Sequence, residues 1–292
     1  DRDMPALWAI PPRERKQSTP AIAVSTLTKL LNDLKTQANT LPAVSRALWD
    51  TLKQARTDPD TVSIFQAPRC ITNQRITASR RFAAQSYSLG RIKAAGKHHK
   101  ATLNDVVLAM CASALRRYLL DLGALPDKPL IAMVPMSLRQ DDSEGGNQVA
   151  MILANLWTNI APPLQRLKAI KTSMSNAKAR YKNMTPAEVI NYTAAIMAPS
   201  GINMMAGIAP SIQSYNVIIS NVPGPKNTLY WNGAKLEGTY PVSIVVDGQA
   251  LNITLNSYAD KLEVGVIACR RTLPRIQRLL DYLEQGLVEL EG

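Results

Sequence analysis

Segments with helical periodicity alternate with short apolar runs along most of this chain, and that alternation limits the fold that it can adopt. The clearest helix is Thr102–Asp121, in which Thr102 can cap the first turn and Asp105, three residues later, completes the pattern of a capping box. Another long helix is expected from Pro162-Pro163 to about Tyr181, because proline is favoured at the first helical position. Helices interspersed with strands predict an α/β domain, with helices layered on a mixed sheet.

The expected strands lie between and after these helices, and each is a short apolar or alternating run bounded by turn residues. They are Arg80–Leu89, Leu130–Met136, Val149–Leu156, Tyr215–Asn221, Pro241–Val246, Ala250–Ser257 and Leu262–Ala268. The last three are predicted to form an antiparallel meander, with a turn at Tyr258–Lys261 between the final pair. A closing helix is expected to start at Thr272-Leu273-Pro274 and to run to Leu290.

The first 78 residues differ from the rest in pattern. Residues 1–20 are interpreted as a linker, because the stretch Trp8–Pro20 holds three prolines and four charged residues and shows no periodicity. Residues 21–78 are interpreted as a connecting segment with two helices, the second at Ala43–Ala55, and a polar, turn-rich loop at Asp58–Ser79. Residues 79–292 then form the α/β domain, and the whole length is ample for a sizeable core.

Positive charge is concentrated in the first third of the chain. Of the net charge of +12, residues 1–100 contribute +10, with 17 Lys and Arg against 7 Asp and Glu, whereas residues 101–292 hold 17 against 15. This asymmetry indicates a phosphate-bearing cofactor, an anionic membrane surface or nucleic acid as partner, or else a basic face that is only solvated. Aromatic residues make up 5% of the chain, which argues against a base-stacking platform for nucleic acid.

The cysteines and histidines offer little chemistry. Cys70, Cys111 and Cys269 are far apart and odd in number, which predicts reduced thiols and no zinc site. His98-His99 could supply a general base, but the flanking lysines of the stretch Lys93–Lys100 favour an exposed pair in a basic loop. The opening Asp1-Arg2-Asp3 does not resemble a secretory leader, and no uninterrupted apolar run of about 20 residues predicts a spanning helix.

The first turn of the helix after Thr102 is the first candidate site. Asn104 and Asp105 would lie where free backbone N–H groups and the helix dipole favour an anion, and the Asn104 amide could donate to a developing oxyanion. Helix capping by Thr102 and Asp105 is the alternative interpretation. We therefore expect Asn104 and Asp105 to support catalysis, without supplying the base.

Candidate substrate contacts are expected near the ends of strands. Ser137 and Arg139 follow the strand that ends in Val134-Pro135-Met136, a position at which α/β sheets often bind ligands. A nucleophilic role is not expected for Ser137, since no GxSxG motif surrounds it.

The stretch Ser220–Pro225 (SNVPGP) predicts a stiff turn in which Pro223 fixes φ and Gly224 permits a positive φ. The uncharged stretch Val189–Pro225, with Met197, Met204 and Met205, predicts the lining of a channel for a flexible chain.

Taken together, these segments resemble a known family. LNDVVLA (Leu103–Ala109), VPMSLR (Val134–Arg139), GN (Gly146-Asn147) and SNVPGP occur in that order, followed by the tail Asp247–Cys269. The combination is similar to the later portion of bacterial wax ester synthase/diacylglycerol acyltransferases and spans about residues 79–290. The resemblance implies a chloramphenicol-acetyltransferase-like fold of two α/β domains with a reaction tunnel between them, of which this chain would form the second half.

The same resemblance implies an O-acyltransferase that moves a fatty acyl group from acyl-CoA to a long-chain alcohol or to diacylglycerol, with no bound cofactor. The family's general base is the second His of an HHxxxDG signature. Here Leu103 and Asn104 follow His98-His99 where Asp and Gly belong, so the base is expected from an N-terminal segment preceding Trp8, and the chain alone is expected to be inactive.

The remaining implications concern substrate contacts and location. Asn104-Asp105 matches the family's ND motif and Ser220–Pro225 its NVPGP turn. The expected substrate contacts are Ser137, Arg139, Asn147, Met204, Met205, Asn221, Pro223 and Gly224. The expected location is cytoplasmic, peripheral to the inner face of the plasma membrane or to lipid inclusions, with no nucleic-acid partner.

Two other functions stay open at this stage: an acyltransferase or condensation enzyme that uses carrier-bound acyl groups, and a basic, non-catalytic membrane-binding module.

Overall fold

The computed structural model describes residues 42, 45–47, 49–53, 57, 62–63, 66–137, 149–182, 184–205 and 213–292. The predicted linker and the first predicted helix lie outside the described residues. In the second predicted helix, Ala43–Ala55, residues 45–47 and 49–53 are helical. The described part of the predicted loop at 58–79 holds only a single turn of 3₁₀-helix, Ile71–Asn73, which agrees with the prediction.

Eight strands and five helices account for the regular structure of the described residues from 80 onward. The strands are β1 (Arg80–Ser88), β2 (Ile131–Ser137), β3 (Val149–Asn155), β4 (Val217–Val222), β5 (Tyr230–Trp231), β6 (Ala234–Lys235), β7 (Leu251–Tyr258) and β8 (Lys261–Cys269). The helices are α1 (Leu89–His98), α2 (Leu103–Asp121), α3 (Pro163–Tyr181), α4 (Pro186–Met205) and α5 (Arg278–Glu291).

Six of the strands form one mixed sheet in the order β1-β8-β7-β4-β2-β3. The pairs β1–β8, β7–β8 and β2–β3 are antiparallel, whereas β4 runs parallel to both β2 and β7. It follows that β1, β2, β4 and β7 all point the same way and end at one edge of the sheet. The predicted mixed α/β sheet is confirmed.

The helices pack on one face of this sheet, where alternate strand residues are buried. On β8, for example, Leu262, Val264, Val266 and Ala268 are fully buried. The hydroxyl of Tyr87 on β1 donates to the carbonyl of Leu280 on α5, which places that helix on the same face. The three cysteines are free thiols, as predicted.

The predicted strand at Pro241–Val246 is wrong, since only Val246 takes part in a bridge, to Gln249. In the predicted meander this segment would pair with β7, but β4 and β8 already occupy both edges of that strand. It crosses the face of the sheet opposite the helices instead, so close that a Cβ added to Gly265 would lie 1.8 Å from the carbonyl oxygen of Pro241. We call residues 223–246, which lead from β4 to the final hairpin, the crossing segment.

The closing helix starts six residues later than predicted, at Arg278 and not at Thr272. Arg275 has a φ of +57°, a left-handed conformation that a helix cannot include. The predicted basic loop at Lys93–Lys100 is also wrong in part, because α1 continues through His98. Within the described part of the chain, no helix has the length and apolar character required to cross a membrane.

Candidate functional site

One edge of the sheet brings together the ends of β1, β2, β4 and β7. Tyr118 of α2 donates to the Pro274 carbonyl shortly after β8, and Ser113 donates to Glu289 near the end of α5, so α2 runs antiparallel to α5 and begins toward the edge where β1 ends. The N-terminus of α2, with Asn104 and Asp105, therefore lies at the same edge as Ser137 and Asn221 near the ends of β2 and β4. The topology thus gathers several of the predicted site residues.

The sheet opens between β2 and β4 at this edge. Their parallel ladder has only two residue pairs, Ala132 with Val217 and Met133 with Ile218, although each strand continues four residues farther. The strands that follow β2 and β4 in the chain lie on opposite sides of this opening, because β3 is next to β2 and β7 is next to β4. Open α/β sheets bind ligands in the crevice outside the carboxyl ends of strands at such a reversal of strand order.

In the first turn of α2, Asp105 is committed to the helix cap. Its Oδ2 accepts hydrogen bonds from the backbone N–H of Thr102, at 2.9 Å, and from the Thr102 hydroxyl, at 2.7 Å. The Thr102 hydroxyl in turn accepts from the backbone N–H of Asp105, so the predicted capping box is confirmed. Asp105 is buried, which suits a carboxylate whose hydrogen bonds are internal.

Asn104 differs from its neighbour. Its side chain is half-buried, and its amide makes no hydrogen bond to another residue that the structure describes. An amide in the first turn of a helix, beside backbone N–H groups with no helical partner, can donate to an oxygen that gains negative charge. Of the two residues, Asn104 is the one whose polar group is available for a ligand.

The turn after β4 ties that strand to the last hairpin. The backbone N–H of Gly224 donates to the Ser257 hydroxyl at 2.9 Å, and the Pro225 carbonyl accepts from the N–H of Ala259, also at 2.9 Å. Gly224 does not have the positive φ that the sequence predicted. Glycine is required here because a Cβ would lie 2.1 Å from the carbonyl oxygen of Ser257. Gly224 therefore holds one side of the crevice in place through backbone contact.

The histidine pair has a structural position. Nε2 of His99 lies 2.8 Å from the carbonyl oxygen of Leu290 on α5, and the His98 ring stands edge-on to it at 4.6 Å between centroids. One nitrogen of His99 is therefore engaged with the backbone, and His98 is exposed at the end of α1. The predicted exposure is therefore confirmed for His98, whereas His99 is half-buried against α5.

Some predicted contacts cannot be followed to their side chains. Arg139 and Asn147 lie outside the described residues. Ser137 ends β2, and Met204 and Met205 end α4, but only their backbone positions are described.

The helix α4 itself is largely a core element, because Val189, Tyr192 and Ile196 are buried and Met197 packs against the core. For Met204 and Met205 the role of channel lining stays a prediction.

One feature of the surface was missed by the sequence analysis. A cavity of about 540 Å³ lies between His99, at the end of α1, and the exposed side of α3. Its lining includes His99, Leu167, Lys168 and Lys171. Lys168, Lys171 and Lys178 fall at i, i+3 and i+10, so they share one side of α3, and that spacing was a usable signal. The near-zero net charge of residues 101–292 does not reveal this cluster of lysines, because acidic residues elsewhere in that range balance them.

Comparison with family models identifies two matches. Residues 1–107 match the wax ester synthase/diacylglycerol acyltransferase catalytic domain, and residues 145–291 match the WS/DGAT C-terminal domain. The O-acyltransferase WSD of Acinetobacter baylyi is 53% identical over 265 residues, which are 90% of this chain and 58% of that protein. A putative diacylglycerol O-acyltransferase of Mycobacterium tuberculosis is 44% identical over 278 residues, 94% of this chain and 62% of the relative. The chain therefore spans about three fifths of the length of these relatives.

Solved structures agree with these matches. The wax ester synthase/diacylglycerol acyltransferase from Marinobacter aquaeolei superposes with a TM-score of 0.72 at 47% identity, covering 99% of this chain and 60% of that one. A condensation domain involved in chain release from the enacyloxin polyketide synthase gives a TM-score of 0.51 at 13% identity, covering 84% of this chain and 46% of the other. At that identity the second likeness concerns the fold alone, and it confirms the predicted relation to layered acyltransferase and condensation domains.

Proposed function

The chain belongs to the wax ester synthase/diacylglycerol acyltransferase family, and on that premise we propose that it contributes the crevice side of an O-acyltransferase. The proposed reaction moves a fatty acyl group from acyl-CoA to a long-chain alcohol or to diacylglycerol. The observation that carries the proposal is the opening between β2 and β4 in a chain of this family, with the N-terminus of α2 at the same edge. No bound cofactor is part of the proposal.

The proposed acyl transfer involves an alcohol hydroxyl, a thioester and a base. The alcohol oxygen attacks the thioester carbonyl while a base removes its proton, and the tetrahedral intermediate then expels the CoA thiolate. Negative charge develops on the former carbonyl oxygen, and we assign its stabilisation to the Asn104 amide with the adjacent backbone N–H groups. Asp105 supports this geometry by fixing the first turn of α2 through the capping box.

We propose that the base comes from a segment that bears the family's HHxxxDG signature. His99 is engaged with the Leu290 carbonyl and His98 is exposed, so we assign the base to neither. The crossing segment exposes apolar side chains, among them Val242, which is 64% exposed, and Ile244, which is 78% exposed. Such a surface favours coverage by another polypeptide segment. We propose that the HHxxxDG-bearing segment covers this face and closes the tunnel.

The other substrate contacts remain proposals of position. Ser137 and Asn221 lie at the two sides of the crevice, and Pro223 with Gly224 fixes the side formed by β4. We assign Arg139 and Asn147 to the same edge and Met204 and Met205 to the acyl or alcohol channel. The basic first third is proposed to attach the enzyme peripherally to anionic membrane or lipid inclusions in the cytoplasm.

A thioester-release assay tests the proposal. The chain, combined with the HHxxxDG-bearing segment, is incubated with palmitoyl-CoA and hexadecanol or a diacylglycerol, and free thiol and ester are both measured. Ester formation together with thiol release supports the proposed function. Transfer only from an acyl group bound to a carrier protein, with no release from palmitoyl-CoA, would favour a condensation-type activity and contradict it.

A further inference from the structure

The cavity beside α3 has several lysines in or next to its lining. Lys168 and Lys171 line it, and Lys100 lies next to it, because the Lys171 ammonium donates to the Lys100 carbonyl. Lys97, one residue before the end of α1, and Lys178, two turns beyond Lys171 on α3, extend the positive surface. We call this cavity, with the lysines that line it, the lysine groove.

In the part of the chain that the structure describes, no carboxylate forms an ion pair with the lysines of the groove. Among the described residues from 91 to 182, the acidic side chains are Asp105, Asp121 and Asp127. Asp105 is held in the capping box, and Asp121, at the far end of α2, bonds Tyr282 and lies 3.5 Å from Arg278.

The acidic residues of α5 that approach α1 and α2 already have partners. Arg91 binds both Glu284 and Glu291, at 2.5 Å and 2.7 Å. Glu289 pairs with Arg117 and accepts from the Ser113 hydroxyl at 2.6 Å. The ammonium charges of Lys168 and Lys171 therefore face the groove without a described carboxylate partner, and they favour an anionic ligand.

The shape of the groove suits a ligand with an apolar ring and phosphates. Its apolar wall consists of Leu167, which is buried, and Leu164, which is 51% exposed. Thr172, Ser175 and Asn176 add hydroxyl and amide groups to the same lining. A volume of about 540 Å³ is within the range of small-ligand sites. One end of the groove, at His99, lies three residues before Thr102, and so beside the edge where the crevice opens.

We infer that the lysine groove binds the phosphates of the nucleotide portion of CoA, with Lys168 and Lys171 as the binding cations. The inference rests on the proposed function, because it takes acyl-CoA as the donor. From this position the pantetheine arm would lead past the start of α2 toward the crevice, where Asn104 is placed for the thioester. An anionic lipid headgroup offers the same phosphate chemistry, so the test has to separate the two sources.

Binding of CoA to the whole chain, measured by titration calorimetry at low salt, tests the inference. The double substitution Lys168→Gln and Lys171→Gln is expected to weaken CoA binding by at least about tenfold, since each removes a charge-assisted contact to phosphate. Pantetheine, which lacks the nucleotide, is expected to bind the variant and the parent chain equally. A control with Lys226→Gln and Lys235→Gln removes the same charge from the crossing segment and should leave CoA affinity unchanged.

Several outcomes would overturn the inference. Unchanged CoA affinity in the double variant, or an equal loss in the control, would show that the groove is not the phosphate site. A second such outcome concerns phosphatidylglycerol vesicles. If the double variant no longer binds these vesicles, and free CoA does not displace them from the parent chain, the groove binds a lipid headgroup. Lys168→Gln alone keeps the contact between Lys171 and Lys100, so reduced affinity in that variant with an unchanged melting temperature excludes misfolding as the cause.

The same variants separate this inference from the proposed function. In one outcome the double substitution Lys168→Gln and Lys171→Gln lowers CoA affinity, but the parent chain combined with the HHxxxDG-bearing segment transfers no acyl group from acyl-CoA. The assignment of the groove to CoA is then supported and the proposed function is contradicted. If transfer proceeds with an unchanged KM for acyl-CoA in the double variant, the function stands and the groove assignment is wrong.

Discussion

Asn104 and Asp105 are adjacent in the first turn of α2, but the structure gives them different tasks. Asp105 completes the capping box, whereas the Asn104 amide makes no hydrogen bond to a described residue. Asn104→Ala is therefore expected to lower kcat at least about tenfold and to leave the melting temperature nearly unchanged, because removal of one oxyanion donor costs about 3–4 kcal/mol in studied enzymes. The measurement is steady-state acyl transfer together with thermal unfolding.

Asp105→Ala is the matched comparison for Asn104→Ala. Loss of the cap should lower the free energy of unfolding by about 1 kcal/mol, since the N–H and hydroxyl of Thr102 lose their acceptor. An Asn104→Ala variant with normal kcat would leave this turn only its role as a helix cap.

Gly224 is the residue of the turn after β4 at which an added side chain has least room. Gly224→Ala would place a Cβ 2.1 Å from the Ser257 carbonyl oxygen and 2.6 Å from Oδ1 of Asn256, so the turn has to move away from β7. We expect a loss of roughly 2–3 kcal/mol of unfolding free energy, as for other overpacked sites. Chemical denaturation of the whole chain measures it.

Gly90→Ala is the control for the substitution at Gly224. Gly90 lies in the first turn of α1, where an added Cβ meets only the Ser88 hydroxyl at 3.6 Å. Alanine favours the helix by up to about 1 kcal/mol, so this variant should be neutral or slightly stabilised. Equal losses at both positions would contradict the assignment of Gly224 to a close backbone approach.

At the scale of elements, a buried ionic network joins α2, α3 and α5. Arg166 on α3 is 2% exposed, donates to the Ser113 hydroxyl at 2.8 Å and lies 3.6 Å from Glu289 on α5. Glu289→Gln leaves Arg166 buried without its counter-charge, and the cost is expected to be about 3 kcal/mol. Glu284→Gln breaks an exposed pair with Arg91 and should cost less than about 1 kcal/mol.

The same network predicts a dependence of stability on pH. Burial by itself would raise the pKa of Glu289, but the Ser113 hydroxyl and the Arg117 guanidinium outweigh it and lower the pKa below the ordinary 4.5. A lowered pKa means that the stabilisation is present above 4.5 and is lost as the pH falls through the folded-state pKa. The stability difference between the parent chain and Glu289→Gln should therefore shrink as the pH falls below 4.5, as urea unfolding at several pH values can show. A difference that is constant with pH would contradict the ionic origin.

Local patterns were enough to predict most of these elements. The capping box at Thr102, the proline start of α3 and the alternation of β7 and β8 are each decided within a few residues. The segment Pro241–Val246 has the apolar pattern of a strand, but it does not pair with β7 because β4 and β8 occupy both edges of that strand. Competition for a sheet edge is a tertiary effect that periodicity does not contain.

The candidate site was predicted less completely, for a similar reason. The residue types at Asn104 and Asn221 are visible in the sequence, but the gap between β2 and β4 depends on a strand order that spans 90 residues. The lysine groove joins the end of α1 to α3, two helices that are separated in the chain by α2 and β2–β3. Summed charge predicted cations in the first third and overlooked those that α3 places beside them.

At the scale of the whole molecule, the apolar crossing segment and the position of the histidines lead to one expectation. The 292-residue chain by itself should form no ester and should associate in solution. A positioned base contributes about 10²- to 10⁴-fold to such proton transfers, and we assign that base to neither histidine, because His99 contacts the Leu290 carbonyl and His98 is exposed. Co-expression with the HHxxxDG-bearing segment is expected to restore turnover and to give a monodisperse species in size-exclusion chromatography, because that segment would cover the side chains around Ile244. His99→Ala in the co-expressed enzyme should keep most of the activity, whereas substitution of the second His in HHxxxDG should abolish it. Wax ester made by the purified chain alone, and lost in His99→Ala, would place the base within this chain and overturn the assignment.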